Sequence, residues 1–452
     1  MSIPVSYDSY RPKVCSFFAG RAWYAGIPSG EKLAWVMFSQ VLDDISNITK
    51  CHQANDPTSE VFSDIQDSDG GVIQIPDAGE IVHLIPLGRG LLVFGANGVW
   101  SIVGGDNGFT AASYNVEKVT SSGCLFQKTI VKVEDSIFYW SSGGIFVIQL
   151  DTTGLASAAK NISDASIKTL YNSIPSINRI HASGQYNESE KTVEWLYNNS
   201  SVDNSSEGKY IKNKTLVFNT QLGCFYTLSI DDSAGPLVMA GAVTKEILDI
   251  ELSADVLVGT EEVLSNTDEV VANLDVSRGT TKQFKYLTVY PVGSAYSTTF
   301  SDKESSGFVD WYSYNSVGVE LDSFVLTGYN MGGVGPARAK TVSYVNVFME
   351  RTGTTATASG VAGDSGCLMQ TRWDFTNNDG PGKWGTPVQV YKILRPYFLD
   401  FPATFDNGYP LVITKNKVRG RGKALQIKFS SEAGKDMKLV GWSTGFVGNT
   451  NV

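Results

Sequence analysis

The sequence predicts an all-β fold, a propeller-like ring of antiparallel four-stranded blades with an inserted β-rich segment and one short helix. Two observations carry this prediction. Short apolar segments rich in β-branched and aromatic residues alternate with turn residues along most of the 452-residue chain, which is typical of strands. One hairpin pattern also recurs at a spacing of 46 residues, and a strand-only repeat of about 40–50 residues is typical of a propeller blade.

The repeat is clearest in two hairpins. Residues 91–102, LLVFGANGVWSI, align with residues 137–148, IFYWSSGGIFVI, so that the turn glycines Gly98 and Gly144 coincide. Residues 216–228 are a looser copy with one extra turn residue, and residues 22–38 resemble them more weakly. Because one blade cannot cover its own apolar faces, such units are expected to stack on their neighbours.

The strand patterns group into blades in chain order. Residues 81–120 supply one four-stranded blade, residues 127–150 begin the next, and residues 184–228 supply another. Near the end of the chain, residues 425–429 alternate as a half-buried strand does, and a hairpin partner is expected to follow.

One helix is predicted at residues 164–173. Ser163 or Asp164 can cap its start, and Pro175 stops its continuation.

Composition divides the chain into three segments: residues 1–230 hold the first blades, residues 231–320 form an acidic insertion, and residues 321–452 hold the last blades with a basic C-terminal strand. The net charge of −10 is uneven, since residues 381–452 carry 11 Lys and Arg against 4 Asp and Glu. That surplus of +7 leaves −17 on residues 1–380. A dense acidic segment is usually a solvated surface, or else a wall that repels polyanions.

The composition excludes several classes of protein. No apolar run approaches the roughly 18 residues that span a bilayer, and the first residues lack the pattern of a secretory signal, so we expect maturation in a cytoplasm and no membrane span. Five scattered cysteines predict reduced, mostly buried thiols rather than a disulfide framework: Cys15, Cys51, Cys124, Cys224 and Cys367.

Motifs for metals and nucleotides fail on spacing. His52, His83 and His181 lie apart from other ligands, and residues 67–70, DSDG, lack the partners of a calcium loop. Gly422-Lys423 is followed by Ala424 where a phosphate-binding loop needs Ser or Thr. We therefore predict no cofactor and no metal.

Catalytic patterns are equally sparse. Residues 363–366, GDSG, resemble the nucleophile loop of chymotrypsin-like proteases, but Cys367 stands where that family has glycine, which favours an ordinary turn. No carboxylate pair marks a glycosidase. Six tryptophans are expected to fill the space between blades rather than stack on sugars: Trp35, Trp100, Trp140, Trp195, Trp373 and Trp442. We predict that the protein is not an enzyme.

A basic segment near the end of the chain has two interpretations. Residues 415–423 contain five basic side chains, Lys415, Lys417, Arg419, Arg421 and Lys423. A glycine-punctuated basic loop can contact phosphates. Charges on an edge strand also prevent unwanted strand pairing, and no interleaved aromatic residues support a nucleic-acid platform.

Several segments resemble the tail nozzle, or tail hub, proteins of short-tailed bacteriophages. They are SFFAGRAWYAG, NDPTSEVFSDIQDSDGGVIQI, LLVFGANGVWSIVGG, MQTRWDF and ITKNKVRGRGKALQIKFSSEAGKDMKLVGW. The resemblance spans residues 16–442 and is weakest over residues 231–320. It implies a propeller-like virion protein of the tail, assembled in the host cytoplasm. Six copies would form a ring below the portal and adaptor, beside other tail proteins, and double-stranded DNA would leave through the channel. The family has no catalytic residues to carry over.

Two functions therefore remain open. One is the homohexameric tail nozzle, and the other is a propeller enzyme or receptor-binding tail protein that acts on surface glycans. For the nozzle, tight basic contacts would brake passing DNA, so the acidic residues 1–380 are expected to line the channel. Arg419, Arg421 and Lys423 are then expected at an interface with a neighbouring subunit or tail protein.

Overall fold

The computed structural model describes residues 11–229 except 29, 31, 54–64, 106–107, 125 and 200–211, and strands at 238–252, 276–292, 295–301, 311–312 and 318–319. Beyond these it describes residues 323–333, 338–350, 366–374, 384–391, 411–432, 435, 437 and 438, and 439–448. The chain forms two compact units, Met1–Ser301 and Asp302–Val452.

The first unit contains four successive antiparallel sheets of four strands each. The first two sheets comprise β1 (Val14–Phe18), β2 (Arg21–Ala25), β3 (Trp35–Phe38), β4 (Gly71–Gln74), β5 (Ile81–Leu87), β6 (Gly90–Gly95), β7 (Gly98–Gly104) and β8 (Tyr114–Thr120). The next two comprise β9 (Val131–Val133), β10 (Ser136–Ser141), β11 (Gly144–Gln149), β12 (Lys160–Asn161), β13 (Ser183–Asn187), β14 (Thr192–Tyr197), β15 (Lys214–Asn219) and β16 (Cys224–Ser229). In each sheet the strands lie in chain order. The predicted fold class, all-β with four-stranded antiparallel blades, is confirmed.

The predicted repeat corresponds to equivalent hairpins in the second and third sheets. Gly98 begins β7 and Gly144 begins β11, each after a two-residue turn. The looser third copy is not equivalent, because residues 216–228 lie in the β15–β16 hairpin, which is formed by the third and fourth strands of its sheet and not by the second and third.

An apolar core fills each space between consecutive sheets. Along β6, Leu91 and Val93 face the core shared with the first sheet, whereas Leu92 and Phe94 face the core shared with the third. All six residues of β6 are buried. Alternate side chains of a strand point to opposite faces, so a strand covered on both sides needs apolar residues at every position.

The blades also meet through their first strands. β1 contacts β5, and β9 contacts β13. The Lys132 ammonium on β9 donates a hydrogen bond to the Pro86 carbonyl on β5 at 3.0 Å. This succession of first strands is the arrangement expected of propeller blades.

The helical segment differs from its prediction in length and cap. α1 spans Lys168–Ser173, and a second short helix, α2, spans Ser176–Arg179. The Ser163 hydroxyl does not cap α1, because it accepts a hydrogen bond from the Ile145 amide instead. The Ser163 side chain, which was expected to cap the helix, instead links the segment before α1 to β11.

The segment predicted as an insertion is rich in strands. β17 (Val238–Leu252), β18 (Val276–Val292) and β19 (Ala295–Ser301) form a three-stranded antiparallel sheet, and β20 (Trp311–Tyr312) pairs with β21 (Gly318–Val319). β17 to β19 belong to the first unit, and β17 contacts β13 and β14.

In the second unit, two sheets share one apolar core. One sheet has β22 (Phe324–Leu326), β24 (Leu368–Trp373), β25 (Val388–Gln389) and β28 (Leu425–Ser430). The other is centred on β23 (Lys340–Glu350), which pairs with β26 (Leu411–Lys417), β27 (Arg421–Gly422) and β29 (Leu439–Gly448).

The prediction for β28 holds in part: Leu425, Ile427 and Phe429 lie in the shared core and Lys428 and Ser430 are only partly buried, but Gln426 is buried as well. The predicted pairing of this strand is wrong. Its expected hairpin partner, β29, pairs with β23 instead, since both neighbouring positions beside β28 are occupied. The grouping of residues 321–452 with the blades of residues 1–230 stays a prediction, as do the three segment boundaries.

Candidate interaction surface

The basic segment forms a continuous exposed strip along β26, the irregular residues 418–420 and β27, which continues along the same side of β23. Side chains alternate along it: Thr414, Asn416, Val418, Gly422 and Ala424 are buried. The basic strip, defined as Lys415, Lys417, Arg419, Arg421 and Lys423, is exposed throughout. Within β26, the period of two that defines a strand places Lys415 and Lys417 on the solvent side, opposite the buried Thr414 and Asn416.

Backbone contacts hold residues 418–420, the irregular segment between β26 and β27. Gly420 has a φ of 101°, and a Cβ there would lie 2.8 Å from the Trp373 Nε1 atom. That indole donates a hydrogen bond to the Arg419 carbonyl at 3.3 Å. The Asp374 carboxylate accepts from the Lys423 amide at 2.6 Å. These contacts use main-chain atoms of the strip, so its charged side chains stay available.

A buried lysine supports the end of the strip. Lys340 is fully buried at the start of β23 and donates from its ammonium to the Lys423 carbonyl at 3.1 Å. This bond ties β23 to the residue that follows β27. It also places a further positive charge beneath the basic strip.

The same sheet face continues into an apolar end. Leu411 and Ile413, 38% and 54% exposed, precede Lys415 on the outer side of β26. Opposite Lys417 lies Tyr344, and the Lys415 ammonium stands 4.2 Å from the centre of its ring. The outer face therefore offers an apolar patch beside a row of cations.

The arrangement suits an acidic macromolecular surface. Among the described residues, no carboxylate forms an ion pair with any member of the basic strip. Alternate side chains on a strand lie about 7 Å apart, which is the spacing expected between Lys415 and Lys417 on β26. β26 pairs only with β23 in the described part of the chain, so the edge-protecting role also fits its position. The structure brings Arg419, Arg421 and Lys423 together, and their interface role stays a prediction.

Residues 67–70, whose sequence resembles a calcium loop, contact the Arg21 side chain through their backbone. The buried guanidinium of Arg21 donates to the carbonyls of Asp67, Ser68 and Asp69 and to that of Ser39. Its carbon lies 5.5 Å from the Phe38 ring centre. The Arg21 guanidinium thus binds the carbonyl oxygens that would otherwise be available as ligands for a metal ion. No spacing in the sequence could identify this contact.

The other predicted chemical residues are scattered. Burial lowers the pKa of His83, and the His52 ring contacts the Gln53 carbonyl. His181 lines a cavity described below. No group of three or more metal-ligating side chains occurs among the described residues. Residues 363–365 of the GDSG sequence lie outside the described residues.

Tryptophans and cysteines only partly follow their predictions. Trp100, Trp140 and Trp195 are buried between sheets, and the rings of the last two lie 6.1 Å apart. Trp442 is 39% exposed. All five cysteines are free, but two of them, Cys15 and Cys224, are exposed, so the thiols are less buried than predicted.

Comparisons with known proteins reveal little similarity. No protein family and no curated protein matches the chain. One similar crystal structure is that of an exported protein of Bacteroides fragilis, with a sequence identity of 10% and a TM-score of 0.22. The match covers 48% of this chain and 57% of that protein. A glycoside hydrolase family 43 arabinoxylan arabinofuranohydrolase of Bacillus subtilis is 9% identical, covers 98% of this chain and 97% of its own, and has a TM-score of 0.21. Similarities this low carry no argument about function. No helix of the described residues is long and apolar enough to cross a membrane.

Proposed function

We propose that this chain is a virion structural protein, one subunit of a homohexameric tail nozzle of a short-tailed bacteriophage. It lies below the portal and adaptor in the tail, is assembled in the host cytoplasm, and surrounds a channel for DNA ejection. The resemblance of several sequence segments to tail nozzle proteins supports this proposal. The observation that carries it in the structure is the exposed basic strip beside the apolar end of β26.

The charge distribution favours contact between copies of the chain. Residues 381–452 have a surplus of basic residues, whereas residues 1–380 have a large acidic surplus. Opposite potentials on two surfaces of one chain favour head-to-tail contacts, and a head-to-tail contact that closes makes a ring. On association of two copies, the apolar end beside the strip would be removed from water, and the charges of the strip would orient one copy relative to the other.

Reversal of three charges tests this proposal. The variant Arg419→Glu, Arg421→Glu, Lys423→Glu is expected to fold as a monomer and to lose ring assembly, as measured by sedimentation velocity and negative-stain imaging. Its matched control, Arg89→Glu, Lys118→Glu, Lys160→Glu, changes the net charge equally at exposed positions and should assemble. A folded triple variant that forms rings but retains or releases DNA abnormally would place the strip on the channel wall instead.

The alternative of a glycan-active protein is less well supported. Trp140 and Trp195, which could have stacked on sugars, are fully buried between sheets. Incubation of the protein with host surface polysaccharide distinguishes the two functions, since release of reducing ends would contradict a purely structural role.

A further inference from the structure

A partly enclosed cavity lies beside β13 in the first unit. It has a volume of about 190 Å³. Its polar lining comprises Lys128, His181, Ser183, Gln185 and Lys212, and no carboxylate is among the lining residues described. The cavity is therefore bordered by cationic and neutral polar groups.

Two lysines give the cavity its charge. Lys212, just before β15, is 2% exposed, whereas Lys128 is exposed on the turn that precedes β9. Burial, and next the nearby Lys128 ammonium, lower the pKa of Lys212 to about 8. Both residues line the cavity, and an anion bound there would be attracted by both positive charges.

A hydroxyl group in the lining has no hydrogen-bond partner in the structure. The Ser183 Oγ atom is buried without such a partner. A buried hydroxyl is costly unless it is bonded, and here it borders the same cavity as Lys212. An oxygen ligand would satisfy it.

Size restricts the ligand. Sites for drug-sized molecules have volumes of about 300–1,000 Å³, whereas a single water needs only about 10–15 Å³. A compact polyatomic anion lies between these limits. Lys212 is nearly completely buried. A phosphate within a nucleic-acid strand needs open space on two sides, because the strand continues on both sides of it, so the burial of Lys212 favours a free anion.

We propose that this cavity binds a small free oxyanion of the phosphate and sulfate class, with Lys212 and Lys128 supplying charge and Ser183 Oγ donating a hydrogen bond. The site does not depend on the proposed nozzle function.

Titration of the full chain with sodium sulfate at constant ionic strength tests the site, because sulfate keeps its charge across the neutral and alkaline range. Calorimetry is expected to show saturable binding, and the melting temperature should rise with the same dependence on concentration. Lys212→Met and Lys128→Met should each weaken binding about tenfold or more, the loss expected for one charge-assisted hydrogen bond.

Lys160→Met is the matched control, since Lys160 is exposed on β12 and does not line the cavity. It should bind sulfate as the unchanged protein does. Lys128→Met keeps the test valid if Lys212→Met fails to fold, because Lys128 is exposed. Stabilisation that is unsaturable and equal in all variants would overturn the proposal, because sulfate also stabilises proteins by exclusion from their surface. A short single-stranded oligonucleotide that displaces sulfate and binds more tightly would assign the site to nucleic acid instead.

Discussion

Single polar residues connect segments that the sequence separates. Arg21 binds carbonyls of residues 39 and 67–69 from its position on β2, and Lys340 binds the carbonyl of residue 423. Neither contact follows a local spacing. Arg21 lies in the first unit and Lys340 in the second. Loss of either contact leaves the apolar pattern of its unit unchanged, so it should lower stability without changing the fold class.

Replacement of Arg21 should be strongly destabilising. Arg21→Met keeps much of the apolar contact with Phe38 but leaves several carbonyls without a donor. We expect the free energy of unfolding to fall by about 2–4 kcal/mol, since hydrogen bonds to charged groups contribute about 1.5–3 kcal/mol and are not additive. Urea denaturation measures the change. Arg89→Met, at an exposed position, should shift the midpoint little, and equal losses in both variants would contradict the role of the carbonyl contacts.

The buried Lys212 should make stability depend on alkaline pH. Its pKa is about 8 in the folded chain and 10.5 in the reference state. The unfolded chain therefore binds more protons between these values, and this residue's contribution to stability rises as pH increases from about 8 to 10.5. Below pH 8 this contribution no longer changes with pH. Lys128 and His181 are the other titratable groups at the cavity.

The free energy of unfolding is measured for the unchanged protein and for Lys212→Met. The difference between the two values isolates the effect of Lys212, because the cysteines and tyrosines that titrate in the same range are common to both proteins. Without sulfate, Lys212→Met is expected to be the more stable protein at pH 7, by about 1–2 kcal/mol. The gap should close as pH approaches 10.5. A gap that is constant between pH 7 and 10 would show that the lysine keeps its ordinary pKa.

At the scale of elements, the irregular segment between β26 and β27 shapes the basic strip. Gly420→Ala places a Cβ 2.8 Å from the Trp373 indole at a positive φ of 101°. We expect a loss of about 1–3 kcal/mol in stability. Gly441→Ala, where a Cβ meets no atom within 4 Å, is the control. Thermal unfolding should separate the two, and equal melting temperatures would refute the steric argument.

Whether an element could be predicted depended on where its partners lie. The hairpins β6–β7 and β10–β11 follow from local alternation and their turn residues. The pairing of β29 with β23 joins residues about 100 positions apart, and no local pattern encodes that choice. The cap of α1 failed for a similar reason, because the distant Ile145 amide competes for the Ser163 hydroxyl.

At the scale of the whole molecule, assembly should respond to salt. A ring held partly by the basic strip is expected to dissociate as ionic strength rises from 0.1 to 1 M, because the Debye length falls from about 10 to 3 Å. Sedimentation velocity across that range measures the fraction in rings. The Arg89, Lys118 and Lys160 control variant should show the same salt dependence as the unchanged protein. Rings that persist unchanged in high salt would indicate an interface held by apolar contacts alone.

The exposed basic residues were recognisable from composition alone, whereas the cavity at Lys212 was not. The basic strip is contiguous in sequence, so strand alternation places its members together. The cavity takes Lys128, Ser183 and Lys212 from three separate segments, and only the packing of successive sheets brings them near one another.

Each interior sheet of the first unit divides its side chains between two cores, as β6 does with Leu91 and Val93 on one side and Leu92 and Phe94 on the other. The apolar core thus belongs to a pair of sheets and not to a single one. Adding one repeat of this kind to a chain adds one complete core, and deleting one removes a core while leaving two unmatched faces to meet each other. Growth by duplication is therefore favourable in whole four-stranded units, whereas a half unit would leave a bare apolar face in water.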